Sequence, residues 1–497
     1  MEACIVASMS PSKSQGFPLK IVGSTKFGRY EKMSSEQTFN MIISDGWLVP
    51  FGGWSPRSII NYEGEGRGIY SSAKNNHMYA VIDDNIWSFD SSLSRTVIGV
   101  MDTFTGDVFI DENNVNEIAF SDGESIYIYN YLTSSFVQLT SDILGFKPGY
   151  LTFQDSRFIS PDTDTNQYRL SEVGNGLSFP FDAQHVGEVS TKPTRCIACV
   201  RFPARGNLLL VMGQTVGEQW MDVGAQLFPY QRSQSTNLDY GCINPATIAT
   251  NQDIVCWVAI NEQSGLAIMT TTGSEAKKIS TDGIDFKLTE LQYPSNCYGF
   301  MVRLDGHLCY VVSWPKDNLS YLYDFNTDMF FTLTDENMDV FIVKRIAFFN
   351  NTYYFVSLKD GNLYELNSRI LTYDYGNAVY EIPQIRIVDS FQLPDQSRFM
   401  INVIGFAIQS GEFDYHAEDT DNIPHIDLSI SRDGGVNYGN NVKRIMRPQA
   451  FRKNRLTWTQ AGEANDMVLQ FRFHALNGRF VCSDGEVQIT RAWGSNP

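Results

Sequence analysis

The chain alternates apolar and polar positions in short runs separated by turn residues. Ile86-Trp-Ser-Phe-Asp90, Ser125-Ile-Tyr-Ile-Tyr129, Tyr321-Leu-Tyr-Asp-Phe325 and Asn362-Leu-Tyr-Glu-Leu366 all show it. A period of two is what a pleated strand with one buried face requires. Apolar residues spaced for a helix over some 15 positions are nearly absent, so the pattern predicts an all-β protein. Several runs follow an apolar strand across a polar turn: Asp83-Asp84-Asn85, Ser121-Asp122-Gly123-Glu124 and Lys359-Asp360-Gly361-Asn362. Each predicts a hairpin, because Asp, Asn and Gly accept the backbone angles of a tight turn.

The hairpins recur. Trp87, Tyr127, Tyr168, Trp220, Ile268, Tyr323 and Tyr364 mark equivalent strands at intervals of 40, 41, 52, 48, 55 and 41 residues. Such a period predicts the blades of a β-propeller, six or seven of them between about Gly46 and Ile370. After Asn377 the strands lengthen, as in "HIDLSISRDGGVNYG" and "MVLQFRFHALNGRF". The expected organisation is an arm or docking segment over 1–45, a propeller over 46–375 and an antiparallel β-sandwich-like domain over 376–497.

Composition narrows the function. The net charge is −18 and the pI about 4.8. Such a surface repels phosphates, so tight nucleic-acid binding is not expected, whereas DNA could slide past an acidic wall. No apolar run reaches the length of a membrane span, so no membrane insertion is expected. The polar first 20 residues lack the apolar core of a signal peptide. Eight cysteines are scattered, with Cys196 and Cys199 close together. Strand residues three apart face opposite sides, which argues against a shared metal and for reduced, buried thiols.

Candidate chemistry is thin. Ser431, Asp433, Gly435 and Tyr438 form an Asp-box-like hairpin in "SISRDGGVNYG". The motif occurs once and makes a good turn without any substrate. Asp162, Asp164 and Asn166 begin like a calcium loop, but Gln167 and Val173 stand where an EF-hand needs Gly and Glu. His416, Glu418, Asp419, Asp421 and His425 collect metal-capable side chains, which a polar acidic loop also explains. No nucleophile-elbow, phosphate-loop or dinucleotide motif is present, so neither catalytic residues nor a cofactor is expected. A basic island, Lys443, Arg444, Arg447, Arg452, Lys453 and Arg455, is interleaved with Phe451 and Trp458. In so acidic a protein it is a candidate docking edge for an acidic neighbour, possibly a second copy.

The stretch Arg201–Ala259 carries a resemblance. Its marks are the apolar strand ending at Gly213, then Glu218-x-Trp220, Gly224, Phe228-Pro229, Gly241-Cys242 and Trp257. With "FNMIISDGWLVPFGGW" near the start and "LSISRDGGVNYG…RIMRPQAF…RLTW" and "GEVQI" near the end, the chain resembles the packaged-DNA stabilisation (tail hub or nozzle) proteins of short-tailed phages. That resemblance implies a structural virion protein with a propeller-like core, made in the host bacterial cytoplasm. It implies a six-copy ring closing the tail below portal and adaptor, forming a channel for the genome and carrying fibres, spikes or a needle. The competing expectation is a glycan-binding or sialidase-like propeller enzyme. Under the hub reading, Arg447→Glu with Arg452→Glu blocks ring assembly and leaves the monomer folded. Normal particle assembly by that double variant would sink the docking role of the island.

Overall fold

Residues 66–367 build seven small antiparallel sheets, one after another along the chain. The computed structural model describes residues 14–28, 36–202, 205–206, 208–251, 253–263, 265–273, 275–410, 423–446, 454–475 and 478–491. They fall into two compact units, one of residues 53–329 and 333–380, the other of residues 1–52, 330–332 and 381–497.

In the first unit each sheet is a blade. The innermost strands are Gly66–Ser72, Phe109–Glu112, Thr152–Gln154, Cys196–Arg201, Ala249–Asn251, Tyr298–Leu304 and Val343–Phe349. Successive blades touch through these strands, except that blade 4 meets blade 5 through Leu208–Gly213 and Gly241–Cys242. Val343–Phe349 returns to Gly66–Ser72, so the ring closes on itself. The approach is tight at Gly66, where an added Cβ would lie 2.4 Å from the Val356 Cβ. Trp87, Tyr127, Tyr168, Trp220, Ile268, Tyr323 and Tyr364 each lie in the third strand of a different blade. The spacing in the sequence is therefore the spacing of blades, and there are seven.

The core lies between blades. Along His77–Ile82, Met78, Ala80 and Ile82 pack with Phe349, Val356 and Leu363 of blade 7. The alternate residues Tyr79 and Val81 pack with Ile118, Phe120 and Tyr127 of blade 2. Both faces are buried, which is why these strands read as continuous apolar runs. A fully buried Ile, Phe or Leu contributes about 1.5–3 kcal/mol, so the ring is stabilised at every interface rather than at one centre.

Blade 7 is made from both ends of the unit. Its outer strand is Gly53–Asn61, paired antiparallel with Gly361–Asn367 in the register Trp54↔Leu366 and Gly361↔Asn61. The buried Asn362 accepts hydrogen bonds on Oδ1 from the Ile60 amide at 2.7 Å and the Asn61 amide at 3.2 Å. Arg57 Nε donates to Glu365 at 2.6 Å. Trp54 stacks on Tyr373 with centroids 3.6 Å apart and meets Phe341, Phe355 and Tyr375 edge-on.

The second unit corrects the expected boundaries. Residues 1–45 are not an arm apart from the domains, for their described part supplies strands. Gln15–Leu19 pairs with Val481–Arg491, and Gln37–Phe39 pairs with Gln384–Ile387. Met41–Ser44 and Trp47–Pro50 join the sheet of Val481–Arg491, Phe399–Gln409 and Asn454–Ala464. The other sheet runs from Gln384–Ile387 through Asp466–His474 and His425–Ser431 to Val442–Ile445. The sheets pack through Phe406 and Trp458 against Phe471, at 5.3 and 5.7 Å between centroids. Arg386, wholly buried, fixes the N-terminal segment. Its guanidinium donates to the carbonyls of Ile21 at 2.9 Å and Ser24 at 3.0 Å, and pairs with Glu36. Burial is the largest single influence on the Glu36 carboxyl and pushes it up, but the charge and hydrogen bond of Arg386 together with those of Lys26 outweigh it and hold the group below its ordinary value.

The cysteine pair also departs from expectation. A β-bulge between Cys196 and Ala198 shifts the alternation by one residue. Cys196 and Cys199 thereby enter the same buried cluster, with Tyr168 and Val211, instead of facing opposite sides. All seven described cysteines are buried and free.

Trp54→Ala removes the largest side chain of the closing strand. It is expected to destabilise the propeller by about 3–5 kcal/mol, read as a lower urea midpoint in far-ultraviolet circular dichroism. An exposed substitution on the same strand, Ile59→Thr, should move the midpoint by less than about 0.5 kcal/mol equivalent.

Candidate functional site

Loops of blades 5, 6, 7 and 1 converge around a cavity of about 1130 Å³. Glu63, Glu65, Asp83, Asp84 and Asp107 line it, against Lys316, Lys344 and Lys359. Lys344, only 4% exposed, pairs with Glu65 and lies 3.9 Å from Asp107. Arg345 sits 3.3 Å from Asp107 and donates to the Ala246 carbonyl at 2.8 Å. Lys359 pairs with the buried Asp335 and lies 3.6 Å from Glu336. Blade 7 thus supplies cations that are already committed to carboxylates. Burial pushes the Cys297 thiol upward, so this lining group stays protonated and a poor nucleophile. The cavity presents a charged, ion-paired surface with an acidic excess.

The Asp-box-like hairpin is a turn held by its own side chains. The Asp433 carboxylate accepts from the amides of Val436 at 3.2 Å and Asn437 at 2.9 Å, and from the Asn437 side chain at 2.7 Å. Ser431 Oγ donates to Asp433 at 2.6 Å and accepts from the Gly435 amide at 2.9 Å. Gly435, at φ +88°, takes a conformation side chains resist. Ser431 pairs with Tyr438 to close the loop. These hydrogen bonds, the Asn437 amide foremost, hold the Asp433 carboxyl at about 2. The Ser431 hydroxyl and the Asp433 carboxylate are thus both engaged inside the turn. Asp162 is likewise a turn residue, accepting from Thr165 Oγ1 at 2.9 Å and the Asp164 amide at 3.2 Å.

Of the basic island, Lys443 and Arg444 lie on the strand Val442–Ile445, and Arg455 opens Asn454–Ala464. Lys443 and Arg455 are exposed. Arg455 lies 3.6 Å from Glu486, which sits two strands away across Phe399–Gln409, and Arg444 Nε donates to the Thr457 carbonyl at 2.9 Å. Arg447, Arg452, Lys453 and Phe451 fall outside the described residues. Trp458 is not part of the basic surface. It is buried and donates from Nε1 to the Val442 carbonyl at 2.8 Å.

His416, Glu418, Asp419 and Asp421 also fall outside the described residues. His425 begins a strand and stands directly opposite His474. Their rings stack at 4.3 Å between centroids and 15° between planes, beside Asp427. Burial, with smaller contributions from the His474 and Lys443 charges, pushes the His425 imidazole below its ordinary value. His474, Asp427 and Glu381 escaped sequence reasoning because they meet only through strand pairing. The alternation in "HIDLS" and "FRFHA" was the available signal.

Comparison with known proteins follows the geometry. Among curated proteins, none matches the chain. Among solved structures it is similar to an inactive variant of virginiamycin B lyase from Staphylococcus aureus with quinupristin. That likeness has 12% identity and a TM-score of 0.44, over 63% of this chain and 98% of the lyase. It is also similar to the Pan2 WD40 domain of Neurospora crassa, with 10% identity and a TM-score of 0.41, over 66% and 97% of the two chains. These likenesses are too distant to bear on activity. A phage-stabilisation family model, described as Bacteriophage P22 Gp10, beta-propeller, matches residues 35–371. That span takes in the closing strand and all seven blades, and the chain accordingly belongs to this phage-stabilisation family.

Proposed function

We propose that the protein is a structural tail hub of a short-tailed phage particle and not an enzyme. In this reading several copies form a ring, six by family resemblance. The ring closes the tail below portal and adaptor, bounds part of the genome's exit channel and carries fibres or spikes. The observation that carries the reading is the family match over the whole closed ring of blades. Physical chemistry supports it in three ways. The net charge of −18 keeps passing DNA from sticking. The cavity of about 1130 Å³ has more carboxylates than lysines in its lining, an acidic surface that does not hold phosphates. Finally, the exposed Lys443 and Arg455 offer cations to an acidic neighbour.

Quantitative mass spectrometry of purified particles tests the reading. About half as many copies as portal subunits is the expected ratio for a six-fold ring on a twelve-fold one. Absence from the particles overturns it and turns attention to glycan hydrolysis. Lys443→Glu with Arg455→Glu tests the docking surface. Their exposed pairings stabilise the chain little, so melting should be unchanged while complementation of particle assembly falls about tenfold or more, the scale of about 1.4 kcal/mol at an interface.

A further inference from the structure

The second unit carries an arrangement that neither the family match nor the hub reading assigns. His425 and Asp427 are two apart on one strand and so share a face. His474, opposite His425 on the next strand, completes a trio. One ligand atom from each lies within 4.8 Å of the others.

The outward nitrogens are already oriented. His425 Nδ1 lies 2.7 Å from the Ile423 carbonyl, which can only accept, so that nitrogen carries the proton. His474 Nδ1 lies 2.9 Å from Glu381 Oε2, a carboxylate that fixes the same tautomer. Both lone pairs therefore sit on Nε2. Those two nitrogens face Asp427, at 3.9 Å from Oδ1 for His425 and 3.6 Å from Oδ2 for His474. An imidazole whose far N–H is held by a carboxylate or a backbone carbonyl is the usual support of a metal-bound histidine. The other Glu381 oxygen, Oε1, is buried and has no hydrogen-bond partner.

We propose that His425, His474 and Asp427 bind one divalent first-row metal ion, zinc foremost, through both Nε2 atoms and one carboxylate oxygen. Two imidazoles and a carboxylate suit zinc, and three protein ligands leave a position for water. Nitrogen ligands of one tetrahedral zinc lie about 3.3 Å apart, since each Zn–N bond is about 2.0–2.1 Å. The stacked rings must tilt toward each other to reach that separation, a rotation about side-chain bonds that leaves the strands paired. Asn441 Nδ2, 3.4 Å from Asp427 Oδ2, steadies the carboxylate. Lys443 and Arg472 stand opposite Asp427 on the flanking strands. Their charge weakens the affinity but occupies no donor atom. The bound ion would clip His425–Ser431 to Asp466–His474, a structural role that stands whether or not the protein is a tail hub.

The test uses the full-length, untagged chain. It is freed of metal by chelation and titrated with zinc chloride by calorimetry, with cobalt(II) as a spectroscopic probe. Expected are one zinc per chain and a visible cobalt absorption of four-coordinate strength. Asp427→Asn and His474→Gln should each weaken zinc at least about tenfold, and Glu381→Gln, which touches only the histidine, about 10–100-fold. His77→Ala, in the propeller, should change nothing. Circular dichroism of each variant separates lost binding from lost folding. If a variant unfolds, the cobalt spectrum of the unaltered chain decides alone. No stoichiometric zinc at micromolar concentration, or binding indifferent to both Asp427→Asn and His474→Gln, overturns the proposal.

Discussion

The pairing of Gly53–Asn61 with Gly361–Asn367 is the contact on which the propeller depends. Blades bury their faces only against neighbours, so an open row of seven would leave two large apolar faces in water. Closure removes both. The strand carries its own fastenings: ladder hydrogen bonds, the buried Asn362 reaching two backbone amides, and Trp54 stacked on Tyr373. A single hydrogen bond contributes only about 1 kcal/mol net. The aromatic cluster around Trp54 and the joined faces of blades 7 and 1 supply the rest.

Closure also explains the odd composition of the second unit. Trp54 lies beside Tyr373 in the register, so the strand that opens the propeller unit and the strands that end it belong to one sheet. Segments far apart in sequence can then share one sandwich. Arg386 shows the dependence most clearly, since its buried guanidinium is satisfied largely by carbonyls of residues 20–24. Without the N-terminal segment that charge would be buried and unpaired, which costs several kcal/mol.

The sequence announced the blades because their third strands repeat an apolar centre, and each centre falls where the spacing put it. It did not announce the closure, whose partners lie some 300 residues apart with no local mark. The N-terminal strand was also missed, for Gln15–Leu19 is short and carries Pro18, which is tolerated where a strand pairs on one side, as this one does with Val481–Arg491. One inserted residue was enough to invert the reading of Cys196 and Cys199, because alternation fails at a bulge. The Asp-box-like hairpin was legible as a turn, since the partners of the Asp433 carboxylate all lie within four residues of it. The histidine pair was not, because only strand register brings residues 425 and 474 together.

The closing strand also sets a clock on biosynthesis. Gly53–Asn61 leaves the ribosome about 300 residues before its partner, and at about 5–20 residues per second that gap lasts about 15–60 s. Throughout it, Met78, Ala80 and Ile82 lack the blade 7 residues that cover them. The nascent chain therefore carries an unpaired sheet edge and an apolar face for most of its synthesis, the state in which neighbouring chains on one messenger can pair wrongly. Spacing between ribosomes, and chaperones that cover the first blade, would then govern how much of this protein reaches the folded state.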